Sequence, residues 1–322
     1  MIDSYGRTIE YMRVSITDRC NLRCNYCMPN GIKWKPMDEI LTYEEIISVC
    51  KAAAKEGVRK LKVTGGEPLV RKGCVSLIRN LKEIPGIEQV TLTTNGVYLD
   101  QYAEELLDAG IDGINVSLDS LREDTYEKIT NNRLLQTVLS GIDTAYNLGI
   151  PLKINVVPQR GVNDEELISL AMLSKDRDID VKFIELMPIG GDSCELGITN
   201  EEILTQFTKY FGTLTMEPEA KGNGPAVYYR IPEHKGMVGF ISAVHNKFCG
   251  QCNRVRLTST GLLKPCLCFD DCYDVKQVLR AKDHSELELK SIIRNAIMHK
   301  PSGHQFEILD AITKERMSQI GG

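Results

Sequence analysis

Residues 1–216 predict an α/β protein, an incomplete (β/α)6 barrel of the TIM type, and residues 217–322 an α+β extension. Three observations carry the barrel. Six short β-rich runs recur in series, each followed by a stretch with helical periodicity. Helix start signals stand in the intervening segments. The β-runs also lead at once into chemically unusual segments. That is the pattern expected where a parallel sheet gathers its functional groups at the C-terminal strand ends.

The first run, MRVSIT (12–17), opens into DRCNLRCNYCM (18–28). Thr42-Tyr43-Glu44-Glu45 then fits a capping box, a cap residue with Glu three positions on. KLKVTG (60–65) runs into GGEP (65–68), and VTLTTN (90–95) ends in TTNG (93–96). GINVSLD (113–119) carries Ser117 and Asp119. LKINVVP (152–158) precedes a second predicted capping box, Asn163 to Glu166, and VKFIELM (181–187) ends at Met187. Six β-α units in series imply a parallel sheet, with an open doubly wound sheet as the alternative to a barrel. The pattern stops near residue 212, and EPEAKGNGPA (217–226) reads as a linker or loop. VYYRI and MVGFISAV then suggest a small antiparallel piece, with helices expected at about 274–282 and 285–299.

The chain has 322 residues, 42% hydrophobic and 26% charged, which suits a globular protein with a sizeable core. Its net charge of -5 argues against general binding to nucleic acid or membrane surfaces, while leaving room for a local basic pocket. No signal-type apolar core opens the chain and no run of about 18 apolar residues occurs, so a cytoplasmic location is expected. Eleven cysteines are many for such a protein, and in a reducing compartment they point to metal ligation rather than disulfides. They cluster at 20, 24 and 27 and at 249, 252, 266, 268 and 272; the isolated Cys50, Cys74 and Cys194 read as packing residues.

Cys20, Cys24 and Cys27 have the spacing C-x3-C-x2-C. Three thiolates on a four-iron cluster would leave one iron open, as an open position separates catalytic from structural zinc. A zinc site completed by a distant histidine is the competing reading. Cys249-x2-Cys252-x13-Cys266 again joins a tight pair to a third thiol, and TSTG between them is a turn that would fold residues 256–258 back on 262–264. A structural zinc ribbon completed by Cys268 or Cys272 is the alternative there. Arg254 and Arg256 alternate along a β-run and so share a face. Lys62, Lys153 and Lys182 sit inside apolar β-runs, where a barrel would bury them; a buried lysine needs an anion.

The cysteine triad, Tyr26 before its last member and GGEP one unit later resemble the radical S-adenosylmethionine (SAM) superfamily. More specifically, TGGEPL, LTTNG, INVSLD, KINVV, FIELM, FCGQCNRVRL, the KP-x2-H of Lys300, Pro301 and His304, and the terminal IGG (320–322) are similar to the GTP 3′,8-cyclase family from end to end. The resemblance implies two 4Fe–4S clusters, SAM as co-substrate and GTP as substrate. It implies a lyase that makes a 5′-deoxyadenosyl radical to form 3′,8-cyclo-7,8-dihydro-GTP for molybdenum cofactor biosynthesis. It assigns the first cluster to Cys20, Cys24 and Cys27 and the second, carried by the extension, to Cys249, Cys252 and Cys266. SAM contacts fall on Tyr26, Gly66, Ser117 and Met187, with Glu67 able to accept from the SAM amine. GTP contacts fall on Arg13, Lys62, Thr93, Lys153, Lys182, Arg254 and Arg256, and Gly321 and Gly322 are to reach into the active site. Lys62 and Lys182 stand where the family pattern has arginine, which keeps charge but loses the bidentate fork. Arg71 receives no role. An electron donor is implied and the next enzyme of the pathway is a candidate partner. The chain would act as monomer or homodimer, without nucleic acid or membrane. The other readings are a different radical SAM enzyme with an auxiliary cluster, and a non-catalytic iron–sulfur protein.

Overall fold

The computed structural model describes residues 1–28, 34–190, 196–218, 222–283 and 285–321. Cys194 and Gly322, and part of the 217–226 segment, therefore lie outside the described residues. The six β-runs form β1 (Tyr11–Ser15), β2 (Lys60–Thr64), β3 (Gln89–Thr94), β4 (Ile114–Ser117), β5 (Leu152–Val156) and β6 (Ile179–Ile184). They lie side by side in chain order and all parallel. No reversal of strand order interrupts them, so the doubly wound alternative, which requires such a switch point, is not the arrangement formed.

The later strands join the same sheet. β9 (Val238–Ile241) pairs parallel with β6, and β10 (Arg254–Leu257) pairs parallel with β1. Each edge then ends in an antiparallel piece: β7 (Thr215–Glu217) and β8 (Val227–Arg230) beyond β9, and β11 (Leu262–Lys264) and β12 (Tyr273–Asp274) beyond β10. The result is one mixed sheet of twelve strands, an α/β arrangement consistent with a partial TIM-like barrel. The turn at residues 258–261 puts Arg256 opposite Lys264, the hairpin that TSTG predicts.

Helices α1 (Tyr43–Lys55), α2 (Cys74–Lys82), α3 (Leu99–Asp108), α4 (Glu123–Thr130), α5 (Leu135–Asn147) and the short α6 (Leu167–Ala171) connect the first six strands. Their apolar faces, with Ile46, Leu77, Leu106 and Val138 fully buried, pack with the strands into one core. The predicted capping box opens α1: the Thr42 side chain accepts from Glu45 N–H while Glu45 accepts from Thr42 N–H at 2.7 Å. The second predicted box does not form. Asn163 and Glu166 are both buried and spend their polar atoms on other loops. Asn163 Nδ2 donates to the Asp119 and Val157 carbonyls, and Glu166 accepts from Ser120 and from Leu121 N–H. Satisfying buried backbone groups outweighed a local cap. α7 (Asn200–Phe211) and α9 (Glu286–Met298) do begin with capping boxes, at Thr199 and Ser285, while α8 (Val275–Leu279) is shorter than the predicted helix. α10 (Met317–Ile320) ends the described chain. No helix among the described residues is long and apolar enough to cross a membrane.

Two close approaches hold the strand ends together. Gly65 and Gly66 follow β2, and a Cβ at Gly66 would stand 2.4 Å from the Arg19 carbonyl oxygen and 2.8 Å from that of Asp18. The missing side chain therefore lets the cysteine loop lie directly on the β2 loop, and Gly66 N–H donates to Thr17 O at 2.7 Å. Arg71, one turn on, donates to the carbonyls of Ile16 (2.5 Å) and Leu41 (2.7 Å) and lies over the Tyr43 ring, so it is a clamp between β1 and α1. Gly66→Ala forces backbone against backbone and is expected to cost about 3 kcal/mol, measured by urea denaturation. Gly224→Ala, with nothing within 4 Å, is expected to stay within about 0.5 kcal/mol.

Candidate functional site

The cysteine loop leaves the C-terminal end of β1 and turns back on itself, Cys27 and Met28 N–H both donating to the Cys24 carbonyl. This brings three half-buried thiols within electrostatic reach of one another. Burial pushes Cys20 up to about 11, with the Glu67 charge adding to it. Burial and then Cys27 push Cys24 well up; burial and then Cys20 push Cys27 up to about 12. Three buried thiolates that repel each other need cations to exist together. Among the described residues no three Cys, His, Asp or Glu groups could share one metal ion. Three thiols within reach of one another are a donor set that an iron–sulfur cluster takes.

The other strand ends close around this loop. Tyr26 Oη donates to Asp119 Oδ2 at 2.7 Å across the mouth, and Asp119 Oδ1 accepts from Val157 N–H. Burial holds the Asp119 carboxyl up at about 6, against these two hydrogen bonds. Asn95 Nδ2 donates to Asn21 Oδ1 at 2.8 Å and faces Cys20 Sγ at 3.7 Å. Glu67 already accepts from Leu69 N–H, Thr94 Oγ1 and Asn95 N–H, so the structure gives it the task of joining the β2 and β3 loops. The close approach of Gly66 is likewise to the cysteine loop itself. Ser117 ends β4, half-buried, beside Asn155, whose Oδ1 is buried without a partner; Thr93 Oγ1 on β3 is unpartnered too. Met187 lines the cavity of the second cysteine group.

Register explains the basic residues. β1 stands between β10 and β2, so Arg13 lies level with Arg256 on one side and Lys62 on the other. Lys153 is level with Asn115 and Asp180, and Lys182 with Asn155 and Gly239. Lys62 and Lys182 are buried, and neither ammonium makes a hydrogen bond or ion pair among the described residues. Lys153 is only half-buried and is held by Asp180 Oδ2 at 3.0 Å and by Tyr228 Oη at 2.9 Å. Burial, then Lys182 and Arg13, push Lys62 well below the ordinary lysine value. Burial, then Lys153 and Arg13, bring Lys182 down to about 7, and burial with Arg13 and Arg254 brings Arg256 to about 9.

At the other side of this basic face, Cys249, Cys252 and Cys266 line one cavity with Arg254 and Arg256. Burial would raise Cys252, but Lys300 and Arg254 outweigh it and hold the thiol below its ordinary value. Cys268 also borders the cavity, packed among Ile189, Phe306 and Ile320, whereas Cys272 is exposed. The tail spans both cysteine groups. Ser318 N–H acts on the Cys27 thiol, and the Gly321 carbonyl accepts from Arg256 Nη1 at 3.1 Å and Arg13 Nε at 3.4 Å. Gly321 has φ +82°, and a Cβ there would stand 2.8 Å from Ser15 Cβ. Sequence reasoning missed Arg7. It is buried, paired with Asp3, and donates to the Cys249 and Pro301 carbonyls at 2.9 and 2.8 Å. A lone arginine near the start of the chain gave no signal of it.

This is the arrangement of a radical SAM protein, and residues 14–173 match the Radical SAM superfamily. Residues 179–306 match Molybdenum Cofactor Synthesis C. Along its whole length the chain is 47% identical to GTP 3′,8-cyclase of Desulforamulus reducens and 44% to that of Petrotoga mobilis, covering 100% of each. The chain belongs to the GTP 3′,8-cyclase family. Among solved structures, Streptococcus suis SuiB bound to S-adenosylmethionine is similar with a TM-score of 0.60 at 15% identity, over 86% of this chain and 67% of that one, a likeness of fold.

Lys182 gives a pH signature. Its folded value of about 7 lies below the ordinary 10.5, so between these limits the unfolded chain binds the extra proton. Stability of the protein without GTP is expected to rise with pH across that window. Lys182→Met is expected to raise stability at pH 7 by a few kcal/mol and flatten the rise, measured by thermal melts. A bound triphosphate favours the ammonium, so its binding is expected to take up protons at pH 8. Calorimetry in two buffers of different ionisation enthalpy checks this.

Proposed function

We infer that this chain is a GTP 3′,8-cyclase, a radical SAM lyase that converts GTP to 3′,8-cyclo-7,8-dihydro-GTP in molybdenum cofactor biosynthesis. The observation that carries the reading at the level of the site is the buried cationic face between two cysteine groups, on which, among the described residues, Lys62 and Lys182 have no carboxylate at ion-pair distance. A triphosphate supplies that charge.

In this reading Cys20, Cys24 and Cys27 would hold the 4Fe–4S cluster that binds SAM, and Cys249, Cys252 and Cys266 would hold a second 4Fe–4S cluster. When bound, the reduced first cluster and SAM would supply the radical chemistry needed to remove hydrogen at ribose C3′ and join C3′ to guanine C8. The chain's own residues bind, orient and exclude water. Tyr26, Gly66, Ser117 and Met187 surround SAM. Glu67 braces the loops on which it sits, from the hydrogen bonds to Thr94 and Asn95. Arg13, Lys62, Thr93, Lys153, Lys182, Arg254 and Arg256 face GTP. Thr93 Oγ1, buried and unpartnered, is free to meet a polar ligand. Lys153 is shared with Asp180, so its charge is partly spent within the protein. The division at residue 216 assigns the SAM chemistry to the first part and the second cluster to the extension. An external one-electron donor reduces the first cluster, and the enzyme that takes the cyclised product is the natural partner.

Anaerobic turnover with SAM, a strong reductant and GTP deuterated at C3′ tests the reading. Deuterium is expected in the 5′-deoxyadenosine by mass spectrometry, absent after Cys24→Ala and after Cys252→Ala. SAM cleavage without deuterium transfer would remove GTP from the reaction. Deleting Gly321 and Gly322 is expected to abolish cyclisation while iron content stays unchanged, because Arg13 and Arg256 lose the carbonyl that orients them.

A further inference from the structure

The functional reading gives Lys264 no task. It stands on β11, is 1% exposed, and its ammonium meets Glu315 Oε2 at 3.1 Å, with Asp270 Oδ1 farther off at 3.9 Å. A buried ammonium is costly unless a carboxylate meets it. Glu315 belongs to the tail, two residues before α10. Arg256 lies directly opposite Lys264 in the antiparallel pair of β10 and β11. Their side chains therefore leave the same face of the hairpin, about 5 Å apart at Cβ. Arg256 Nη1 donates to the Gly321 carbonyl at 3.1 Å. One rung of the hairpin thus holds both ends of α10, Lys264 by the carboxylate before it and Arg256 by the carbonyl after it. A helical turn rises about 5.4 Å, which matches that spacing.

The tail is pinned just upstream as well. Thr313 N–H donates to the Cys268 carbonyl at 2.7 Å, and the Thr313 carbonyl accepts from Gly190 N–H at 3.1 Å. Thr313 Oγ1 donates to Asp270 Oδ1. Gly190 has φ +83°, and a Cβ there would stand 2.7 Å from Arg316 Cδ, so its missing side chain makes room for the tail. These contacts fix where the tail begins. They do not fix how α10 is aimed at Arg13 and Arg256. The Lys264–Glu315 pair does, because it ties the start of that helix to the same strand pair that carries Arg256.

We propose that Lys264 and Glu315 are positioning residues for the tail: their ion pair sets α10 against β11 so that the Gly321 carbonyl meets Arg13 and Arg256, and it acts on cyclisation without touching GTP or SAM. This deepens the functional reading and rests on it. The pair can do so because its lysine is buried, where salt screens an ion pair little. A one-turn helix has almost no stability of its own, so its place depends on what grips its ends.

Hydrogen–deuterium exchange of the anaerobic, iron-loaded protein, read by mass spectrometry, tests the hold on the tail. The reporters are the α10 amides of Gln319, Ile320 and Gly321, which close on the Arg316 and Met317 carbonyls. Lys264→Met is expected to speed their exchange about 10- to 100-fold while β10 stays within about two-fold. Glu315→Ala is expected to do the same, and the double variant to be no faster than the faster single one, because both remove one contact. In turnover, cyclised product per 5′-deoxyadenosine is expected to fall about ten-fold in each single variant at unchanged iron content, and Lys264→Arg, which keeps the cation, to recover part of it. Unchanged tail exchange in both single variants overturns the proposal, as does a loosened tail with undiminished cyclisation. Additive losses in the double variant overturn it in favour of two separate packing roles. If Lys264→Met loses iron, Glu315→Ala, which lies on the tail, carries the test by itself. Failure of the functional reading looks different: wild-type protein would then form no cyclised product, whatever the exchange of its tail.

Discussion

Six cationic side chains share one face of the sheet, and burial together with their mutual repulsion holds Arg13, Lys62, Lys182 and Arg256 below their ordinary pKa. Arg13, Lys62 and Arg256 come together because β10 and β2 both pair in register with β1. Lys153 and Lys182 arrive from β5 and β6, and among the described residues only Lys153 of the two has a carboxylate, Asp180, at ion-pair distance. Such a face is expensive to fold, and a highly charged anion relieves it. Binding of a triphosphate thus draws on repulsion already present in the protein, and two lysines in place of arginines change the geometry of that relief more than its sign.

Around this face the mouth of the barrel is a set of loops that hold one another. Gly66 lets the β2 loop lie on the backbone of the cysteine loop, Glu67 ties it to the β3 loop, and Tyr26 reaches from the cysteine loop to Asp119 beyond β4. Asn163 then carries the connection from Asp119 to the β5 loop. Three thiols held on so braced a loop keep their spacing before any iron arrives, which is what preorganisation of a cofactor site requires.

The C-terminal part is woven into the barrel rather than appended to it. It lends a parallel strand to each edge of the six-stranded set, and its tail returns between the two cysteine groups. The residues that meet the basic face therefore come from both ends of the chain: Arg13 from β1, Arg254 and Arg256 from β10, and the Gly321 carbonyl from the last described residue. Arg7 does the same work from the other terminus, bracing the Cys249 and Pro301 carbonyls.

The sequence by itself determined the six β-α units, the cysteine spacings, the hairpin after Cys252 and the membership of the basic residues in β-strands. Each of these rests on periodicity, a turn signal or a short spacing, all local properties. Only the tertiary structure decided that β9 and β10 join opposite edges, that Asn163 and Glu166 serve distant loops instead of capping a helix, and that Gly66 clears room for backbone. It also placed Arg71 as a clamp, and paired Lys153 with Asp180 while leaving Lys62 and Lys182 without a partner among the described residues. These outcomes depend on which buried polar groups meet across long sequence separations, and no local pattern encodes that meeting.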